Sequence, residues 1–271
     1  MSTPHPDRPL GEKQSEQEKL AEGTLVSHLV ELRTRLLRAA AAILLIFICL
    51  VPFAETIFTL VATPLMEKLP VGATMIATQV ASPFLTPFKM TLFVALFLAM
   101  PVILYQIWRF VAPGLYNKEK RFAFPLLVSS ILLFYGGVAF AYYVVFPLMF
   151  GFFAAAAPEG VTMMTDINAY LDFILTLFFA FGMAFEVPIA TVMLVWSGLV
   201  KTDVLRKARA YVFLGAFVLG MFLTPPDAIS QTLLAVPIYI LYEAGLILCR
   251  VLGVEQRRDE ESEDEENSIA G

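Results

Sequence analysis

The strongest constraint on this chain is the recurrence of long stretches with no charged side chain. They fall at 39–54, 90–108, 122–158, 173–185, 187–200, 210–226 and 228–242. Crossing the hydrocarbon of a bilayer takes about 20 predominantly apolar residues per helix. There the backbone has to bond to itself, as a helix does. The pattern predicts an all-α polytopic membrane protein with six transmembrane helices, near 36–54, 88–108, 124–148, 169–196, 210–224 and 228–249. The run from 122 to 158 is too long for one span, and Pro158-Glu159-Gly160 marks its exit turn. The fourth span is read as one helix interrupted at Glu186.

An even number of spans puts both termini on one side. That side collects seventeen of the nineteen lysines and arginines, leaving only Lys68 and Lys89 opposite. Cytoplasmic flanks are basic, so both termini are expected in the cytoplasm. The net charge of −5 belongs to the ends: residues 1–24 carry −2 and residues 254–271 carry −6, leaving +3 for the rest. Accordingly 1–24 and the acidic 253–271 are expected to be disordered cytoplasmic tails around a membrane domain at 25–252. The 24 polar residues before the first apolar run do not resemble a cleavable signal.

Enzyme chemistry finds no support. The two cysteines, Cys49 and Cys249, belong near opposite membrane faces, where a disulfide between them is implausible. No cluster has metal-ligand spacing, and no phosphate loop or nucleophile elbow occurs. No cofactor is expected.

Prolines at 101, 125, 147, 188 and 237 fall in or beside predicted spans and should bend them into a concave bundle. The external stretch 55–87 is expected to carry a short interfacial helix around Thr56–Met66 and to fold over the outer mouth. The last two helices are expected to be short: 210–224 would rise roughly 22 Å against a hydrocarbon thickness of ~30 Å. No internal repeat is visible, which counts against an inverted-repeat transporter.

Three isolated carboxylates carry the functional reading. Glu31 lies in the collar His28-Leu-Val-Glu-Leu-Arg-Thr-Arg-Leu-Leu-Arg38, where helical spacing aligns His28, Glu31, Arg35 and Arg38. It either pairs with Arg35 on its own helix or receives a cationic ligand. Glu119 is the acid within a basic loop beside Trp108, Phe110 and Tyr116. Those aromatics suit an interfacial belt, which leaves Glu119 unaccounted for. Together Glu31 and Glu119 suit a ligand with two positive charges. Arginine fits especially, because its planar fork bonds a carboxylate bidentately. Glu186, set in Phe185-Glu-Val-Pro188, is costly inside a membrane and should face a cavity, a polar partner or another subunit. A proton relay and a neutral acid that fixes packing are its other readings.

Six motifs occur in order: His28-Leu-Val-Glu-Leu-Arg, Met75-Ile-Ala-Thr, Ser82-Pro-Phe, Ala112-Pro-Gly-Leu-Tyr, Phe185-Glu-Val-Pro and Leu223-Thr-Pro-Pro-Asp. With six spans they make residues 25–252 resemble the TatC family, the multispanning subunit of the twin-arginine protein translocase. The resemblance implies a receptor for Arg-Arg signal peptides of folded proteins, in a bacterial inner membrane, driven by the proton gradient. It implies that Glu31 and Glu119 hold the signal, with Arg33 and Phe110 in the same motifs. Glu186 would meet polar groups of small single-span partners of TatA and TatB type. Met221, Thr224 and Gln231 would form a docking surface, and Pro64 and Asp227 external positions that influence transport. Self-association and lipid contact are expected, nucleic acid is not. The competing reading is a proton-coupled small-solute transporter using Glu186.

Overall fold

In a computed structural model the chain is described over residues 10–66, 74–111, 120–156, 164–197, 199–224 and 227–253. Among the described residues, five helical segments are long and apolar enough to cross a membrane: Leu29–Thr63, Ser82–Phe110, Phe124–Phe153, Ile167–Trp196 and Ala228–Val251. A shorter apolar helix, Arg209–Leu223, makes the sixth. The protein is a polytopic, essentially all-α membrane protein, as the uncharged runs predict.

Helix α1 spans Leu10–Leu50. It therefore begins within residues 1–24, the segment expected to be a disordered tail, with helix from Leu10 onward. Residues 12–22 are mostly Glu, Lys, Gln, Leu and Ala, all strong helix formers, continuous with the first span. Residues 1–9 and the acidic 254–271 lie outside the described residues. At Leu50 the helix tightens into a 3-10 turn, Val51–Phe53, whose Pro52 sits in the first turn where a missing N–H is tolerated. Helix α2, Ala54–Met66, follows at once. A helix is thus present where the short one at Thr56–Met66 is expected, continuous with the first span through the 3-10 turn.

Helix α3 covers Ser82–Val111 with Pro87 and Pro101 inside it. The third span is α4, Lys120–Phe140, then a π-helical turn, Ala141–Val145, then α5, Phe146–Ala156. Pro147 cannot donate to the carbonyl four residues back, and the wider turn just before it accommodates the lost bond. The helix runs eight residues past 148, the expected end of the span, and the exit turn expected at Pro158-Glu159-Gly160 lies outside the described residues.

The fourth span is α6, Ile167–Ala184, and α7, Val187–Trp196, separated by a break at Phe185-Glu186. Pro188, at the start of α7, explains the break, since it has no N–H for the continuing ladder. A short α8, Thr202–Lys207, leads into α9, Arg209–Leu223, and α10, Ala228–Val251. Of the two closing helices expected to be short, only α9 is. The 24 residues of α10 rise about 36 Å, because Pro237 lies inside the helix without ending it.

Helix α1 lies along α3, α4 along α6, and α10 along both α7 and α9. The main core gathers Met90, Phe146, Phe150, Tyr170, Phe181 and Leu234. Two three-residue strands, β1 (Thr74–Ile76) and β2 (Met164–Asp166), pair in parallel with Thr74 opposite Met164. They tie the loop after α2 to the loop after α5, a link no sequence pattern announced. Cys49, near the end of α1, is exposed, and Cys249, near the end of α10, is buried.

Candidate functional site

The collar forms as helical spacing requires. Arg35 Nε donates to Glu31 Oε1 at 3.0 Å, and Arg35 Nη2 bonds the same oxygen. The intrahelical pairing anticipated for these two residues is therefore real. Its environment is not that of an ordinary surface pair. Arg35 is only 9% exposed and is the sole charged side chain among the buried ones in the described residues. Glu31 is half-buried, while Arg33 and Arg38 are exposed. Phe110 is half-buried and Trp108 buried at the end of α3, the helix that packs along α1. Glu119 lies outside the described residues, as does the Ala112-to-Tyr116 motif.

Glu186 occupies the break between α6 and α7, and a close helix crossing places it there. Where α4 meets α6, a Cβ on Gly137 would lie 2.4 Å from the Phe181 carbonyl oxygen, and one on Gly182 would lie 2.6 Å from the Phe134 ring. The two glycines let these helices approach backbone to side chain. Residues 137, 134 and 130 of α4 then meet 181, 182 and 186 in antiparallel order. At the third rung the fully buried Ser130 donates its hydroxyl to Glu186 Oε2 at 2.5 Å. Glu186 Oε1 is buried with no hydrogen-bond partner among the described residues. The sequence singled out Glu186 and missed Ser130, which lies 56 positions away on another helix.

On the closing pair of helices Met221 is exposed. Thr224 is buried and donates to the Gly220 carbonyl at 2.9 Å, and the Gln231 amide donates to the Phe217 carbonyl at 2.9 Å. Two of the three expected docking residues thus place their polar groups inside the α9–α10 pair. Gly220 allows this closeness, since a Cβ there would sit 3.1 Å from Gln231 Cγ. Asp227 caps α10, accepting from the Ser230 amide at 2.7 Å. Pro64 lies in the last turn of α2.

Several polar contacts escaped sequence reasoning. Glu243 of α10 accepts from Arg209 at 2.7 Å and from the Tyr239 hydroxyl at 3.0 Å. Lys89 of α3 pairs with Asp172 of α6. Asp166 Oδ2 accepts from the hydroxyl and amide of Thr78, at 2.6 and 2.9 Å, and its Oδ1 caps α6 through Asn168 and Ala169. The Thr78 hydroxyl, then these amides, hold its carboxyl down at about 2. Arg209, Lys89 and Thr78 are each remote in sequence from the acid they meet, and Asp166 looks like an ordinary loop acid. No group of His, Cys, Asp and Glu able to hold a metal occurs among the described residues.

Residues 27–237 match the family model for the Sec-independent protein translocase protein, TatC. The chain belongs to the TatC family. It is 63% identical to the TatC protein of Azotobacter chroococcum over 82% of this chain and 87% of that protein. To TatC of Escherichia coli K12 it is 57% identical over 88% of this chain and 92% of that protein. A crystal structure described as the twin-arginine translocase receptor TatC superposes with a TM-score of 0.74 at 37% identity, covering 83% of this chain and 98% of that one. TatC family membership makes this a translocase component and not an enzyme, and the solute-transporter reading gains no support.

Proposed function

We propose that the protein is the receptor and core subunit of a twin-arginine translocase, with the Arg-Arg motif of a signal peptide held by Glu31 and Glu119. The observation that carries this reading is local. The Glu31 carboxylate already accepts two N–H groups from a guanidinium, in a partly buried collar where such a bond is poorly screened. Arginine matches that acceptor, whereas lysine offers a point charge. Arg33 and Phe110 flank the same collar.

The signal's apolar segment then lies along the bundle. Glu186, with one carboxylate oxygen unpartnered among the described residues, is the acceptor for a polar group on a TatA- or TatB-type single-span helix. Such a helix docks over the α9–α10 pair near Met221, Thr224 and Gln231. Pro64 and Asp227 shape the loops on the opposite side, further copies of the chain complete the assembly, and lipid surrounds it. Basic residues gathered on one side support cytoplasmic termini in a bacterial inner membrane. Export draws on the proton gradient.

The deciding measurement is binding of an Arg-Arg signal peptide and its Lys-Lys twin to the purified chain in nanodiscs. Preference for Arg-Arg, lost in a Glu31→Ala/Glu119→Ala double variant that inserts normally, is the expected result. Equal binding by wild type and double variant would remove the receptor role from these carboxylates.

A further inference from the structure

We propose that Arg35 is a built-in competitor: it occupies Glu31 in the resting protein and has to be displaced before a signal arginine takes its place. The inference rests on the reading of Glu31 as a signal-binding carboxylate, and it adds a residue and a step to that reading.

Three observations carry it. The first is chemical identity. Arg35 engages Glu31 through the N–H edge of a guanidinium, with Nε and Nη2 both on Oε1, which is how an arginine ligand would approach it. The second is burial. Loose surface pairs on a helix contribute little, but Arg35 is 9% exposed and Glu31 half-buried, so this contact is neither highly solvated nor strongly screened. Arg33 and Arg38 are exposed on the same helix, and no carboxylate holds them in this way among the described residues. The third is an imperfection. Arg35 Nη1 is buried with no hydrogen-bond partner among the described residues. An unsatisfied buried donor carries a desolvation penalty, which makes the resting pair easier to exchange than a fully bonded one.

An internal competitor four residues from its acceptor acts on every ligand alike. Only the fraction of molecules in which Glu31 is released from Arg35 can bind, and the apparent affinity falls by that fraction. Arg35 therefore weakens Arg-Arg and Lys-Lys signals by the same factor and leaves their ratio alone. Its effect is a threshold. The intrinsic preference for arginine comes from Glu31 and Glu119, while Arg35 pushes weak ligands below useful affinity.

The test uses the full chain in nanodiscs and the same two peptides. Arg35→Met, which keeps an apolar stem in a buried position, should tighten both peptides on the order of tenfold, as expected for removing one charge-assisted pair. Arg35→Lys retains the charge without the fork and should tighten both by a smaller factor. It decides the matter alone if Arg35→Met does not fold. Arg38→Gln removes an equal charge from an exposed position and should change binding far less. With Glu31→Gln as background, the Arg35 substitutions should have no effect.

Unchanged or weaker Arg-Arg binding in a folded Arg35 variant would overturn the exchange. So would an altered Arg-Arg to Lys-Lys ratio, or equal tightening by Arg38→Gln. Glu31→Gln by itself separates the two levels. If it leaves peptide binding intact, the receptor role of Glu31 fails. If it weakens binding while the Arg35 variants change nothing, the competitor alone fails.

Discussion

Ser130 and Glu186 show how one hydrogen bond specifies an intramembrane acid. An isolated carboxyl in a span is costly, and a buried hydroxyl that donates to it offsets part of that cost. Ser130→Ala removes the donor and leaves Glu186 Oε2 without its Ser130 hydrogen bond. A loss of roughly 1–3 kcal/mol is expected, read as a lower thermal midpoint in detergent. Glu186→Gln keeps an acceptor for Ser130 and should lower that midpoint less, while weakening capture of a single-span helix in a pull-down. A larger loss of stability in Glu186→Gln than in Ser130→Ala would count against this pairing. Glu186 was legible in the sequence because a lone charge in an apolar run stands out. Ser130 was not, because a serine in a span is commonplace and only the crossing of α4 and α6 brings it within reach.

That crossing is the lesson at the scale of elements. Gly137 and its neighbour Gly136 are adjacent in sequence and opposite in consequence. A methyl at Gly137 would sit 2.4 Å from the Phe181 carbonyl oxygen, whereas at Gly136 it meets nothing within 4 Å. Gly137→Ala should push α4 off α6 and destabilise the protein by about 1–3 kcal/mol. Gly136→Ala should be neutral or stabilising by up to about 1 kcal/mol, through helix propensity. Thermal unfolding of the two variants side by side checks this, and equal midpoints would mean that the helices are not held this closely. The spans themselves were readable from apolar run length. Their ends were harder, because breaks depend on how the fold accommodates each proline. Pro188 coincides with a broken helix, Pro147 follows a π turn, and Pro237 is absorbed inside α10.

At the scale of the whole molecule, the β1–β2 pair and the Asp166–Thr78 contact join two loops that the sequence separates by 88 positions. Asp166 has its carboxyl held down at about 2, first by the Thr78 hydroxyl and then by amides. A depressed carboxylate contributes stability above its unfolded value near 4 and loses it as pH falls through about 2. The clasp should therefore be intact at pH 5 and loosen between about 4 and 2. Pepsin cleavage within residues 74–81 and 164–166 should rise through that window in wild type, compared at each pH with Asp166→Asn. In that variant the clasp should be weaker from the start and nearly independent of pH. Cleavage of wild type that follows the variant at every pH would remove the clasp.

The sequence alone was enough for the polytopic membrane class, the apolar runs and the family motifs. All of these depend on local composition and order, which the hydrocarbon thickness and backbone bonding translate directly into helices. Only the tertiary structure decided that Arg35 is buried against Glu31, that Ser130 meets Glu186, and that Asp166 links two loops. Those contacts depend on which helix faces approach and how closely. Glycine clearances and proline breaks set that distance, and neither periodicity nor charge pattern encodes it.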